Sequence, residues 1–357
     1  MTRHYQPPFT ITPAVLNAVS EISELLGRWN ARSEAAPSPR LRRQQRIRSI
    51  QASLAIENNS LSIEQVTAVL EGRTVLAPPR EVQEVRNAFA AYERMPNWQP
   101  ARAEDLLQAH ALLMASLLDA PGQWRSGGVG IYRGGQLVHM APPASRVPKV
   151  MADLLTWLAR TDTHPLVASC VFHYEFEFIH PFGDGNGRMG RLWQTLILSR
   201  WQPVLAWLPV ETVIRERQGD YYAALAAADR ASEATPFVEF MLQALATALL
   251  EAIASDQASD QVNDQVDEPI ARLLAVIKPG ETLKAAELMQ RLGLRHRASF
   301  REHYLLPALA AGHLEMTDPA SPRRNIVARR RRNEEQIVRT LGRAEIDRVL
   351  IAVTATS

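Results

Sequence analysis

Apolar residues recur at helical spacing along most of this chain, so the pattern predicts a mainly α-helical protein. Typical helix-starting residues support this prediction. Thr12 precedes Pro13, and Ser62 stands three residues before Gln65, in the pattern of a capping box. The helices predicted in the first 254 residues are 13–29, 41–57, 62–70, 80–92, 104–118, 147–160, 166–179, 187–199, 218–228 and 236–254.

Residues 121–143 interrupt the helical pattern. They include six glycines and three prolines, and apolar residues flank the two-glycine turn Gly134-Gly135. This arrangement predicts a β-hairpin. An extended target peptide could add to the edge of the hairpin as a further strand, but many exposed edges bind nothing, and the sequence leaves both alternatives open.

The C-terminal part of the chain has a pattern of its own. Residues 255–268 repeat every four positions, which predicts a flexible linker, although a continuing helix would also place the repeat on one face. Three short helices and two strands follow, which predicts a winged helix-turn-helix. The predicted division is 1–100, an N-terminal helical region; 101–254, a catalytic core; 255–268, the linker; 269–330, the winged helix; and 331–357, a basic tail.

Charge is unevenly distributed along the 357 residues. The net charge is only +2, but from residue 269 to the end there are 16 Lys/Arg against nine Asp/Glu, so a basic segment follows a mildly acidic body. Arg295, Arg297 and Arg301 lie beside or within the third predicted helix of the winged helix, so DNA is a candidate partner of this segment. Winged helices also serve in protein contacts and dimerisation, which leaves a homo-oligomer open.

Cysteine content and hydropathy bear on location. Cys170 is the only cysteine, which excludes an intrachain disulfide and agrees with a cytoplasmic protein. The N-terminus lacks the apolar core of a signal peptide, and no run of about 18 apolar residues suggests a membrane span. We therefore expect a cytoplasmic protein without a membrane partner.

The densest candidate chemistry lies in residues 180–191, His-Pro-Phe-Gly-Asp-Gly-Asn-Gly-Arg-Met-Gly-Arg. Gly185 and Gly187 allow a tight turn that presents backbone N–H groups, and the following helix points its first N–H groups at the same place. Arg188 and Arg191 are three residues apart, share a helix face and suit phosphate oxygens. The segment therefore predicts a site for nucleotide phosphates.

Two further side chains supply the groups that phosphate chemistry requires. Asp184 can hold Mg²⁺, and His180 can accept a proton from an attacking hydroxyl. The whole string resembles the defining motif of the Fic family, HxFx(D/E)GNGRxxR, and every specified position is met. The resemblance extends over roughly residues 10–250 and includes the glycine-rich segment, which looks like the family's flap.

The resemblance implies a Fic-type helical core and an activity. Fic proteins with this motif mostly transfer AMP from ATP to a Tyr, Ser or Thr hydroxyl of a protein target or of themselves. By resemblance, His180 is the general base and Asp184 binds Mg²⁺ between the phosphates. The residues expected to bind ATP are Gly185, Asn186, Gly187, Arg188, Met189, Gly190 and Arg191.

A second motif suggests that the enzyme is self-inhibited. Residues 53–58, Ser-Leu-Ala-Ile-Glu-Asn, fit (S/T)xxxE(G/N), which marks an inhibitory helix in Fic proteins. Glu57 is expected to pair with Arg191 and to repel the triphosphate, with Ser53 and Asn58 completing the motif. Removal of AMP by the same enzyme stays open, and the rival hypothesis is a DNA-binding regulator whose Fic body senses nucleotide.

Overall fold

The computed structural model describes residues 5–32, 39–133, 136–266, 268–277, 282–310, 314–316 and 327–330. These residues fall into two compact units, with the boundary between Asp256 and Gln257. The predicted Gly134-Gly135 turn and the basic tail 331–357 lie outside the described residues.

The first unit is built from α-helices, as the apolar pattern predicts. Their bounds are α1 Pro13–Arg32, α2 Pro39–Ile56, α3 Ile63–Leu70, α4 Pro79–Arg94, α5 Ala103–Leu113, α6 Val147–Arg160, α7 Pro165–Ile179, α8 Asn186–Trp201, α9 Val210–Glu216, α10 Gln218–Ala231 and α11 Thr235–Val266, of which α11 continues past the boundary at Asp256. Short 3₁₀ turns lie at Met95–Asn97, Ala144–Arg146 and Pro203–Trp207. The mainly α fold class is confirmed.

The predicted helix starts are confirmed at hydrogen-bond level. The Thr12 hydroxyl accepts the Val15 N–H at 3.2 Å, which satisfies a donor at the start of α1. Ser62 Oγ accepts the Gln65 N–H at 3.3 Å, and Gln65 Oε1 accepts the Ser62 N–H at 2.9 Å. The prediction that α5 reaches residue 118 is wrong, because the chain turns into the left-handed region at Ser116, with φ 60°.

Helices α7 and α8 form the centre of the first unit. Nearly all of α7 is buried, including its polar side chains. His173 Nδ1 lies 2.7 Å from Gln194 Oε1, and Tyr221 Oη lies 3.3 Å from His173 Nε2. These buried contacts satisfy polar groups that would otherwise destabilise the core. The loop that joins α7 to α8 therefore has rigid supports on both sides.

The predicted hairpin is present as two antiparallel strands, β1 Gly130–Arg133 and β2 Gln136–Met140. Gly130 lies opposite Met140, and the register shifts between Ile131 and Tyr132. Beyond the strands, the Ala141 N–H donates to the Val129 carbonyl at 3.2 Å and continues the ladder.

Helix α11 corrects the predicted linker. It continues to Val266 through most of the four-residue repeat, so the helical alternative describes residues 255–266. The physical reason is that i and i+4 positions are neighbours on a helix, which this repeat suits. Among the described helices, one segment, Thr235–Ser255, is long and apolar enough to cross a membrane, but 61% of its most apolar window is buried in the protein, as in a core helix.

The second unit has its own hydrophobic core and a small sheet. Its elements are α12 Glu268–Ala275, β3 Thr282–Lys284, α13 Ala285–Arg291, α14 Arg297–Phe300, a π-helical turn Arg301–Leu305, α15 Leu306–Ala310, β4 Leu314–Met316 and β5 Val327–Arg330. The strands are antiparallel in the order β3-β5-β4, and the sequence pattern did not predict β3. The winged helix-turn-helix stays a prediction.

Candidate active site

His180 ends α7 in an unusual backbone conformation. Its φ of 50° and ψ of 61° lie in the left-handed region, which few non-glycine residues adopt. The His180 N–H donates to the Phe176 carbonyl at 2.9 Å. The His180 carbonyl accepts from Nε of Arg125 at 2.7 Å. Hydrogen bonds on both sides therefore hold the backbone of the half-buried histidine.

The side chain of Asn186 closes the loop from within. Its Oδ1 accepts the Phe182 N–H, and its Nδ2 donates to the Phe182 carbonyl, both at 2.9 Å. Asn186 is only 2% exposed, so what it can offer an anion is its backbone N–H at the first turn of α8. Phe182 is fully buried and anchors this loop in the core.

His110, from α5, is a second support of the loop. Its ring lies parallel to that of Phe182, with 3.6 Å between ring centroids. Nδ1 accepts the Gly122 N–H at 2.8 Å, so Nε2 must carry the proton that goes to the Asp184 carbonyl at 3.0 Å. Burial lowers the pKa of His110 to about 4, so the ring is neutral. Sequence reasoning missed this role, because the residues around His110 form no motif that connects it to the loop.

The two motif glycines are required by close neighbours. Gly185 has a φ of 82°, and a Cβ there would lie 2.7 Å from Sδ of Met114. A Cβ on Gly187 would overlap Oε1 of Glu57. The space above Gly187 is therefore the space that the Glu57 carboxylate fills.

The structure brings Ser53, Glu57 and Arg191 together. Arg191 Nη2 donates to Glu57 Oε1 at 2.8 Å and to the Ser53 carbonyl at 3.0 Å, and Nε donates to Ser53 Oγ at 3.0 Å. Burial opposes the charge of Arg191, but the Glu57 carboxylate, Tyr221 and Glu177 together outweigh it, so the pKa of the guanidinium is raised. Asn58 ends the α2 segment with a φ of 68° and does not join this cluster.

Helix α4 holds the other motif arginine, a contact that sequence reasoning missed. Arg188 Nη1 lies 3.3 Å from Glu84 Oε1, and Nη2 lies 3.2 Å from Asp184 Oδ1. Arg80 adds contacts of 3.3 Å to Asp184 and 3.7 Å to Glu84. The buried Nε of Arg188 has no hydrogen-bond partner among the described residues. No motif spacing connects α4 to the loop, because the partners are about a hundred residues apart.

Two of the predicted ATP-binding residues face the protein interior. Met189 is fully buried, and a Cβ on Gly190 would lie 2.8 Å from Cδ2 of His173 and 2.9 Å from Oε1 of Glu177. Both residues pack α8 against α7. They would support a nucleotide site from behind rather than line it.

Asp184 is the carboxylate that fits a metal at this site. Its side chain is 42% exposed, and its partners are the Gly185 N–H, Arg188 and Arg80. No group of three His, Cys, Asp or Glu side chains could hold a metal ion in the part of the chain that the structure describes. A single carboxylate suits Mg²⁺ that takes its remaining ligands from phosphates and water.

Comparison with known proteins agrees with the loop geometry. Residues 98–198 match the model of the Fic/DOC family, and residues 268–326 match that of the Filamentation induced by cAMP protein Fic-like, C-terminal domain. A crystal structure of a Fic family protein from Desulfovibrio desulfuricans G20 is 60% identical, covers 93% of this chain and 100% of that chain, and has a TM-score of 0.70. The chain belongs to the Fic family. The Fic-type helical core is thereby confirmed.

More distant relatives of this Fic protein are named for an activity. Protein adenylyltransferase fic-1 of Caenorhabditis briggsae is 32% identical over 204 residues, which are 53% of this chain and 38% of the relative. The fic-1 protein of Caenorhabditis elegans is 28% identical over 233 residues, which are 62% of this chain and 44% of the relative. The chain thus spans less than half the length of these curated relatives.

Proposed function

We propose that this Fic protein transfers AMP from ATP to a Tyr, Ser or Thr hydroxyl of a protein target or of itself. The observation that carries the proposal is the loop after α7, which runs from His180 to the first turn of α8, the helix that carries Arg188 and Arg191. The names of the curated relatives support it.

The residues of the loop divide the transfer step between them. The imidazole of His180 takes the proton of the target hydroxyl, whose oxygen attacks the α-phosphorus. The bond to the β-phosphate oxygen breaks, and diphosphate leaves toward Arg188 and the N-terminus of α8, which stabilise its charge. Asp184 would hold Mg²⁺, which neutralises phosphate charge when bound. Arg80 must first give up its contact with Asp184.

We further propose that the described state is self-inhibited. The Glu57 carboxylate accepts a hydrogen bond from the guanidinium of Arg191 and fills the space above Gly187. The γ-phosphate of a bound ATP therefore cannot pair with Arg191, and the negative charge of the Glu57 carboxylate repels it. If Glu57 also positions a water, the same site can remove AMP, which a chase with unlabelled ATP would reveal as loss of label from the target.

The test uses the Glu57→Gly chain, cell lysate and ATP labelled at the α-phosphate. We expect label on protein in this chain and none after the added change His180→Ala. ATP labelled at the γ-phosphate is the control, because AMP transfer leaves that phosphate in the diphosphate. Protein labelled from the γ-phosphate, or α-label that persists without His180, would contradict AMP transfer.

For the second unit we propose DNA as a partner. Arg295, His296, Arg297, Arg301 and His303 are all exposed around α14 and the π-helical turn. Arginines clustered in this way neutralise phosphates, so binding should weaken steeply with salt. A gel shift with pooled genomic fragments at two salt concentrations tests this, with Arg297→Ala/Arg301→Ala as the variant. Absence of any shift at low salt would refute it.

A further inference from the structure

Arg125 is a buried arginine whose side chain donates to backbone carbonyls. It is 7% exposed. Its Nε donates to the His180 carbonyl at 2.7 Å and Nη1 to the Gly127 carbonyl at 2.8 Å. Its Nη2 donates to the carbonyls of Pro142 at 2.5 Å and Ile179 at 3.3 Å. Burial lowers the pKa of Arg125, and the carbonyl dipoles compensate for the lost hydration.

These carbonyls belong to two different parts of the site. Ile179 and His180 form the end of α7 and the start of the catalytic loop. Gly127 and Pro142 are the two legs of the hairpin, one before β1 and one after β2. The Arg125 N–H adds a further bond to the loop, to the Pro181 carbonyl at 2.9 Å. One guanidinium is therefore shared by the hairpin and the loop.

The chemistry of the guanidinium explains why an arginine suits this position. Its five N–H donors are fixed in one plane and can reach carbonyls in several directions at once. A lysine ammonium keeps the charge but has three donors on one atom. It therefore cannot reproduce the hydrogen bonds that Nε, Nη1 and Nη2 donate in different directions. Carbonyls left without a donor in a buried place are costly, so the hairpin legs or the loop would shift.

We propose that Arg125 is a positioning residue for AMP transfer, which sets the place of the β1–β2 hairpin relative to His180. The inference rests on the proposed function, and on an extended target segment that adds along the hairpin. The acceptor hydroxyl then reaches the imidazole only if hairpin and loop hold their spacing. A displacement of about 1 Å can lower a rate about a hundredfold.

The first experiment changes Arg125→Lys in the Glu57→Gly chain. We measure AMP transfer with labelled ATP at saturation, and ATP affinity by calorimetry. We expect kcat to fall at least about tenfold, because the reacting groups are misplaced. ATP affinity should stay within about twofold, because the N–H groups of α8 and Arg191 are untouched. The matched control is Arg200→Lys, since Arg200 also donates to two carbonyls, those of Pro96 and Trp98, away from the hairpin.

A second variant, tested by chemical rescue, distinguishes a lost positioning role from a protein that does not fold. Arg125→Ala leaves a space that free guanidinium ion can enter, whereas methylammonium lacks the planar fork. We expect guanidinium at millimolar concentration to restore part of the transfer rate of this variant, and methylammonium to restore none.

The outcomes separate the inference from the proposed function. If the Glu57→Gly parent transfers no AMP, the proposed function fails. If the parent is active and Arg125→Lys matches its kcat, the positioning role is wrong. The positioning role is also wrong if kcat and ATP affinity fall together, because that result indicates general damage to the structure. It is equally wrong if guanidinium does not restore the transfer rate of Arg125→Ala.

Discussion

Replacing Glu57 in a graded series tests the proposed inhibition and separates the contribution of the Glu57 charge from that of its bulk. Glu57→Gly removes both the carboxylate that pairs with Arg191 and the bulk above Gly187. Glu57→Gln keeps the bulk and a hydrogen bond from the Arg191 guanidinium to an uncharged amide oxygen, but it removes the negative charge. The two variants therefore separate two contributions that act at the same guanidinium.

The contacts set the expected magnitude. Arg191 is almost fully buried at this 2.8 Å contact, whereas the Glu57 side chain is 33% exposed. A hydrogen bond between charged groups contributes about 1.5–3 kcal/mol, and with screening on the Glu57 side we take about 2 kcal/mol. If breaking the contact between Glu57 and Arg191 limits the reaction, Glu57→Gly should raise the rate of AMP transfer by a factor of about 30. A hydrogen bond from the charged guanidinium to an uncharged amide oxygen is weaker, and if it keeps about 1 kcal/mol, Glu57→Gln should gain only about fivefold.

The assay is the initial rate of AMP incorporation from α-labelled ATP at saturating nucleotide. Glu71→Gly is the matched control, because Glu71 also lies just beyond a helix end and pairs with an arginine, Arg73 at 2.6 Å, in an exposed contact. It should leave the rate unchanged. A Glu57→Gly chain no faster than the original would refute the inhibitory contact, and Glu57→Gln faster than Glu57→Gly would refute the role of bulk.

Further predictions concern residues around the site. Arg80→Ala in the Glu57→Gly chain should lower the Mg²⁺ concentration for half-maximal transfer a few-fold, because an exposed ion pair of about 0.2–1 kcal/mol no longer holds Asp184; an unchanged midpoint in a magnesium titration contradicts this. Because burial lowers the pKa of His110 from 6.5 to about 4, the unfolded chain binds the proton first and stability falls as pH drops through that interval. His110→Gln should reduce this slope in urea unfolding, and an equal slope would exclude the contribution. Burial raises the pKa of the Cys170 thiol to about 12, so a thiol reagent should react only after denaturation, and labelling of the native chain would contradict the buried site.

Local sequence was sufficient to predict the parts of the site that depend on neighbouring residues. The turn at Gly185 and the start of α8 follow from residue type and spacing. The contact of Glu57 with Arg191 was predicted from a family motif, not from periodicity, because the two residues are 134 positions apart.

The supports of the loop could not be predicted in this way. Glu84, His110 and Arg125 lie 104, 74 and 55 positions from their partners in the loop, and nothing in their local pattern marks them. Helix α9 was missed for another reason. It has seven residues, too few for a clear helical period, and its Glu211 is fully buried. Ser49 and Tyr92 satisfy that carboxylate at 3.0 and 2.7 Å, and only tertiary structure reveals them.

If Glu57 inhibits the enzyme as proposed, the packing of α2 determines how that inhibition can be relieved. Ile50, Leu54 and Ile56 on this helix are at most 1% exposed. Exposing one such side chain costs about 1.5–3 kcal/mol, so removing the helix would cost about 5–9 kcal/mol for these three alone, comparable with the stability of a whole domain of about 5–15 kcal/mol. The contact between Glu57 and Arg191 is worth about 2 kcal/mol, and Glu57 lies beyond the last residue of α2. Moving the Glu57 side chain therefore costs much less free energy than detaching α2. A release signal needs to act only at that carboxylate.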